Sequence, residues 1–408
     1  MKRTLITNIG MLATPQGTSA RGGRAQGEIC ILKNAWILIE NDVIAQVGTG
    51  AAPAAADAQT INAGGKLVTP GLVDAHTHLI FDGWRQNELA LKLHGAGYLD
   101  ILAAGGGILS TMRATQSASE EQLEAKASAA LDEMLRFGTT TAEAKSGYGL
   151  STGEECKALR VIGKLQKHHV MDLAATFMGA HAVPEAYRDN RQGYLELLCE
   201  EMLPAVREQG IAEFCDVFCE KGVFSAEESR RILLTGRQHG LRPKIHADEI
   251  EAIGGSELAG EIGAVSAEHL IVCPPSGIAS MAEGGTVACC LPATSFYLGA
   301  AYAPVQDMVQ AGVPVAMATD FNPGSCPCLN MQLVISLGCL RYRLTPEQAL
   351  TAVTLNGAAA ICRADRIGSI EPGKQADILI WNAEDLDYIC YRLGSNLVDT
   401  VIKKGNVV

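Results

Sequence analysis

The middle of the chain alternates between two spacings, and that alternation limits its fold more than any other feature. Short segments at 72–79, 139–145, 172–178, 214–218, 244–248, 264–269, 287–291 and 315–320 read as eight strand candidates. Between them lie stretches with helical spacing. Residues 120–136 repeat apolar positions near the helical period, and 225–239 opens with Ser225 and Glu228, a Ser-x-x-Glu capping signal. Helices are also expected at 254–262 and 346–360. Eight β-α units over roughly 300 residues predict an α/β fold, a (β/α)8 TIM barrel somewhat longer than the usual ~250.

The texture changes at Val68-Thr69-Pro70-Gly71 and again near Gly368. Before the first point, 35–40 and 43–47 read as strands joined by a turn at Asn41-Asp42. After the second, 376–381 and 399–403 look like strands, with turns at Pro372-Gly373 and Lys404-Gly405. The expected organisation is a barrel over 69–367 and a small composite β-sandwich domain built from both termini, 1–68 and 368–408.

Composition removes several function classes. With 408 residues the chain has ample core, and no run of about 20 apolar residues predicts a membrane span. A net charge of −12 without a dense Lys/Arg stripe argues against nucleic acid as a partner. Thirteen cysteines, an odd number without framework spacing, read as reduced thiols. Together with an N-terminus, Met1-Lys2-Arg3-Thr4-Leu5, that lacks an export signal, this predicts a cytoplasmic protein. Cys326-Pro327-Cys328 lacks the second pair of a zinc site, and Gly105-Gly106-Gly107 lacks the Gly-Lys-Ser/Thr ending of a phosphate loop. The latter reads as a loop near the barrel mouth.

In a TIM barrel the active site collects at the C-terminal strand ends. Val73-Asp74-Ala75-His76-Thr77-His78 ends the first strand with two histidines at i and i+2, which face one side. His181 follows strand three, His246 lies on strand five, His269 ends strand six and Asp320 ends strand eight. Histidines and a carboxylate gathered at one rim suit a zinc or iron ion that activates water for hydrolysis.

These positions resemble the amidohydrolase superfamily: His-x-His on strand one, histidines on strands five and six, Asp on strand eight. A closer similarity is to the imidazolonepropionases. It is carried by 74–88 (DAHTHLIFDGWRQNE), 142–150 (AEAKSGYGL), 244–250 (KIHADEI), 266–270 (SAEHL), 291–299 (LPATSFYLG) and 318–325 (ATDFNPGS). The resemblance runs from about Val68 to Gly368 and on through Gly373–Asp377, whereas 17–28 is less typical.

The resemblance implies that His76, His78, His246 and Asp320 hold one Zn2+ or Fe ion per chain. It implies that Arg85 grips a propionate through a bidentate pair, that Tyr148 and His181 line the pocket, and that Glu249 contacts the ring nitrogen. Asn322, Gly324 and Ser325 would close the pocket. His269 would stabilise an oxyanion, Asp320 would accept the water's proton, and Glu249 would relay it to the leaving nitrogen. The implied reaction is hydrolysis of the small-molecule substrate 4-imidazolone-5-propanoate to N-formimidoyl-L-glutamate. Superfamily relatives with two metals bridge them by a modified lysine on strand four. Residues 214–218 contain no lysine and Lys145 falls on strand two, so one metal is expected. Another deaminase or cyclic-amide hydrolase is the alternative on the same scaffold, and a barrel serving only binding or assembly is a third reading. A carboxylate anchor at Arg85 separates the first two. A homodimer is the default assembly.

Overall fold

The computed structural model describes residues 2–54, 57–94 and 106–408. Five strands come first: β1 (Arg3–Thr14), β2 (Cys30–Glu40), β3 (Val43–Thr49), β4 (Gln59–Asn62) and β5 (Leu67–Pro70). Eight follow in the middle: β6 (Leu72–Asp74), β7 (Thr139–Lys145), β8 (Asp172–Ala180), β9 (Phe214–Cys219), β10 (Arg242–Ala247), β11 (Ser266–His269), β12 (Val287–Cys290) and β13 (Val315–Met317). The last three are β14 (Ile378–Trp381), β15 (Val398–Lys403) and β16 (Asn406–Val407).

Strands β6 to β13 pair in chain order as one eight-stranded parallel sheet, the expected barrel. Its helices follow local rules. Glu120–Arg136 and Ala226–Gln238 each start from a reciprocal capping box, at Ser119/Gln122 and Ser225/Glu228. The helix expected over 346–360 is two, Pro346–Val353 and Leu355–Ala360, broken at Thr354. There the Thr354 hydroxyl donates to Leu350 O (2.6 Å), one turn back, and Gly357 comes so close that a Cβ would lie 2.9 Å from Val73 O.

Two barrel strands are shorter than expected from the sequence. β6 stops at Asp74 and β13 at Met317, and beyond them an isolated bridge, Thr77 with Phe321, stands in place of a ladder. His78 N donates to Phe321 O (2.9 Å) and Asp320 N to His76 O (3.0 Å), so the barrel seam is closed by the histidine and aspartate segments themselves. Buried Asp74 reinforces it by accepting from Thr319 N (3.0 Å) and Thr319 Oγ1 (2.6 Å).

The terminal strands form one continuous eight-stranded sheet, ordered β16-β15-β14-β5-β1-β2-β3 with β4 beside β1. Ile6, Ile37 and Ile39 from one end share a core with Ile378, Ile380 and Ile402 from the other, so the sheet folds over its own apolar face. β5 stands between β1 and β14 and runs to Pro70, just past residue 68. Segment 17–28, which carried no site information in the sequence, supports the barrel's rim strand. Gln26 accepts from Val315 N (3.0 Å) and donates to Val315 O (3.1 Å). Among the described residues no helix is long and apolar enough to cross a membrane.

Candidate metal centre

The i, i+2 spacing of His76 and His78 does bring both imidazoles to one point. Their Nε2 atoms lie 3.4 and 3.5 Å from Asp320 Oδ1. His246 reaches the same place from β10, its Nε2 3.3 Å from His78 Nε2. Among the described residues two overlapping groups could hold an ion, His76–His78–Asp320 and His76–His246–His269, so His269 lies within reach as a further donor. All are at most 3 % exposed, hence closed to bulk water.

A metal fits this donor set on two observations. His76 Nε2 is buried without a hydrogen-bond partner among the described residues. His246 Nδ1 is taken up by Asp216, so its Nε2 presents a lone pair 3.3 Å from His78 Nε2, at the same point. The far nitrogens complete the argument. His76 Nδ1 donates to Glu268 Oε2 (3.1 Å) and His246 Nδ1 to Asp216 Oδ1 (3.1 Å). A carboxylate on Nδ1 fixes the tautomer that leaves Nε2 free to ligate. Burial, then the Lys145 charge, holds His76 well below its ordinary pKa; burial, then His181, does the same for His78. Both are therefore neutral, as ligation requires.

Three strand-end residues adopt the left-handed backbone region: Asp248 (φ 51°), His269 (φ 68°) and Asp320 (φ 57°). This costs roughly 1–3 kcal/mol each and is sustained only where the surroundings enforce it. Asp320 is buried, which raises its pKa, and Thr294 Oγ1 donates to its Oδ2 (2.7 Å). The bond leaves Oδ1 directed at the histidines. Thr294 lies within the segment 291–299 but carried no role in the sequence reading.

The remaining positions surround this centre. His181 stacks on His78 with centroids 4.7 Å apart, and its Nδ1 donates to Gly147 O (3.0 Å). Burial depresses its pKa to about 3. Tyr148 packs beside both rings and is pushed above its ordinary pKa by burial. Its loop is pinned by buried Glu155, which accepts from Gly147 N (3.0 Å), Gly149 N (2.8 Å) and Leu150 N (2.8 Å). Glu249 lies with its Oε1 3.7 Å from His269 Nδ1; burial raises its pKa to about 7 and lowers that of His269 to about 4. Glu220 holds the Glu249 loop, accepting from Ile250 N (2.8 Å) and Glu251 N (3.1 Å). Neither Glu155 nor Glu220 was singled out from sequence.

Arg85 departs from a simple anchor. Its Nε and one terminal nitrogen already form a bidentate pair with Glu88, both bonds 2.9 Å. Its other terminal nitrogen lies where a Cβ on Gly324 would approach to 2.2 Å, so glycine makes room for the guanidinium. Asn322 works inside its own turn: Oδ1 accepts from Gly324 N (2.8 Å) and Ser325 N (2.7 Å), and Nδ2 donates to Asp320 O (2.7 Å) and Ser325 Oγ (2.8 Å). The Asn322 amide thus orders the rim after Asp320. Gly105 lies outside the described residues; Gly107 N donates to Glu88 Oε1 (2.7 Å). The thirteen cysteines are free thiols.

Comparisons with known proteins bear on the family and the fold. The Amidohydrolase family model matches residues 67–408. In structure the chain is similar to the guanine deaminase of E. coli (TM-score 0.75, 17 % identity, 100 % of this chain and 99 % of that one). It is also similar to the atrazine chlorohydrolase of Arthrobacter aurescens TC1 complexed with zinc (TM-score 0.72, 18 % identity, 99 % and 94 % covered). At such identities the likeness concerns the fold. In sequence it is 50 % identical to the imidazolonepropionase of Alkaliphilus metalliredigens, over 100 % of this chain and 98 % of the relative. It is 48 % identical to that of Bacillus cereus strain G9842, over 100 % and 97 %. With identity of this level from end to end, the chain belongs to the amidohydrolase family and, within it, to the imidazolonepropionases.

Proposed function

We propose that this centre hydrolyses the cyclic amide of 4-imidazolone-5-propanoate, giving N-formimidoyl-L-glutamate in L-histidine degradation. The observation that carries the reading is the convergence of His76, His78 and His246 Nε2 with Asp320 Oδ1 at a barrel mouth whose chain is half identical to imidazolonepropionases. His76, His78, His246 and Asp320 would hold one zinc or iron ion. Bound there, the ion supplies Lewis acidity and makes water a nucleophile near neutral pH.

The chain's own groups do the rest. Asp320 Oδ1 takes the proton of the attacking water, while Thr294 steadies Oδ2. His269, neutral at working pH, donates to the carbonyl oxygen as negative charge develops there. Glu249, with a pKa of about 7, holds a proton through part of the working range and delivers it to the ring nitrogen as the C–N bond breaks. His181 and Tyr148 wall the ring side of the pocket, and the turn of Asn322, Gly324 and Ser325 closes its rim. Arg85, oriented by Glu88, offers its remaining N–H groups to the propionate. Lys145 is held by Glu143 (2.8 Å) and Asp216 (2.7 Å), which supports a single-metal centre. We assign the chemistry to the barrel, 69–367, and a supporting role to 1–68 and 368–408. The free thiols fit a cytoplasmic setting, and a homodimer is the expected assembly, readable by analytical ultracentrifugation.

The test is a spectrophotometric assay with freshly generated imidazolone propionate beside cytosine and guanine deamination. Turnover of the imidazolone alone, with one metal per chain by elemental analysis, is expected. Deamination without imidazolone turnover would overturn the substrate assignment, and two metals with a modified Lys145 would overturn the single-metal centre.

A further inference from the structure

Beneath the metal centre lies a chain of charged side chains that the reaction does not use. Asp216 accepts from His246 Nδ1 at 3.1 Å, and its other oxygen lies 2.7 Å from Lys145 Nζ. Lys145 reaches Glu143 Oε2 at 2.8 Å, and Glu143 Oε1 lies 3.3 Å from Lys244 Nζ. Lys244 lies 3.3 Å from Glu268 Oε1, and Glu268 Oε2 accepts from His76 Nδ1 at 3.1 Å. The path runs from one ligand histidine to another without a gap longer than an ion pair. The five charged residues between the histidines are all 0 % exposed.

The strand periodicity builds this layer. Glu143 and Lys145 stand at i and i+2 on β7, and Lys244 and His246 at i and i+2 on β10, so each pair faces the barrel interior. Further bonds hold the layer: Ser266 Oγ donates to Glu268 Oε1 (2.5 Å), Thr176 Oγ1 to Glu143 Oε1 (2.5 Å), and Lys244 to Ala75 O (3.3 Å) beside His76. An unpaired charge in such surroundings is strongly destabilising, so each group fixes the next.

We propose that Lys145 and Lys244 are positioning residues of the metal centre, coupled through Glu143, which hold Asp216 and Glu268 against the Nδ1 atoms of His246 and His76. The inference rests on the metal assignment above. Losing either lysine frees a carboxylate and loosens the ligand histidine it orients.

The experiment measures zinc loss to excess chelator and the visible spectrum of the cobalt(II)-substituted protein. Lys145→Met and Lys244→Met should each lose zinc about 10–100-fold faster, with a changed cobalt band. The double variant should fall short of the product of the two factors, because both lysines act on Glu143. Parental zinc retention and cobalt spectra in folded single variants would overturn the proposal, and fully multiplicative effects would overturn the coupling. His246→Ala separates the two levels. If it keeps zinc like the parent, the metal assignment has failed; if it loses zinc while the lysine variants do not, only the positioning role has failed. Should the methionine variants not fold, Asp216→Asn and Glu268→Gln carry the same readouts, and parental retention in both refutes the role.

Discussion

Thr294→Val tests the oxygen that faces the metal centre by changing the one that does not. The substitution keeps the shape and removes the hydroxyl that donates to Asp320 Oδ2 at 2.7 Å. Thr294 is 0 % and Asp320 1 % exposed, so bulk water does not replace the lost donor. A hydrogen bond to a charged group is worth about 1.5–3 kcal/mol. At 1.36 kcal/mol per decade, kcat/KM should fall roughly 10–150-fold if that much positioning is lost in the transition state. The pH profile carries a second signature. Burial raises the Asp320 pKa and the Thr294 bond opposes that rise. Removing the bond raises it further, and a base must be unprotonated to act, so the acid limb of kcat/KM should move to higher pH. Steady-state assays across pH on metal-replete protein, with Thr294→Ser as the variant that restores the hydroxyl, measure both effects. Unchanged activity and an unmoved acid limb in metal-replete Thr294→Val would refute this account of Asp320.

Arg85→Lys removes a fork that both Glu88 and the substrate carboxylate need, so kcat/KM should drop by about 1.5–3 kcal/mol with metal content intact. On an imidazolone lacking the propionate carboxylate, mutant and parent should be equally poor; an equal loss on both substrates would reduce Arg85 to loop support. Gly324→Ala presses a Cβ onto the same guanidinium and should raise KM more than it lowers kcat, a split that steady-state kinetics resolves. Glu220→Ala releases the loop that carries Glu249 and should cut kcat about 10-fold or more while zinc is retained; normal kcat would mean that the loop holds without it. Far from the site, burial raises the Asp172 pKa, but Lys403, Lys404 and Gln375 outweigh it and bring it to about 2. Its stabilisation is present above the unfolded value of 3.8 and fades as pH falls through about 2. At 37 % side-chain exposure, screening limits it to about 1 kcal/mol. Urea unfolding should show Asp172→Asn destabilised at neutral pH, by an amount that shrinks between pH 4 and pH 2.

Much of this architecture was legible in the chain because its signals are periodic. Eight strand-like segments separated by helical ones pointed to the barrel, and His76 and His78 stood out because a two-residue spacing in extended chain points both to one side, although β6 itself stops at Asp74. The strand lengths were less legible. Residues 75–79 and 318–320 are as buried as the strands they follow and read as their continuation, but they close the seam through single bonds instead of a ladder. Asp216 had a faint signal, a lone charge inside the apolar strand Phe214-Cys215-Asp216-Val217, whereas Glu143 shares its strand with Lys145 and Glu268 ends its strand beside His269. Thr294 had none, since one hydroxyl at a helix start reads as ordinary. Glu155 and Glu220 were hidden for a different reason. Each binds backbone N–H groups of a loop, and the direction of those groups follows from the folded loop rather than from residue types.

The terminal sheet sets an order of events during synthesis. When β5 leaves the ribosome its β1 partner has already been made, yet its other partner, β14, begins only at Ile378. Through translation of the whole barrel, Leu67, Val68 and Thr69 present an unpaired strand edge, the kind of surface that recruits other nascent chains. The metal ligands are complete once Asp320 is made, well before that edge is covered. A chain that terminates between them would carry its full ligand set beside an open sheet edge.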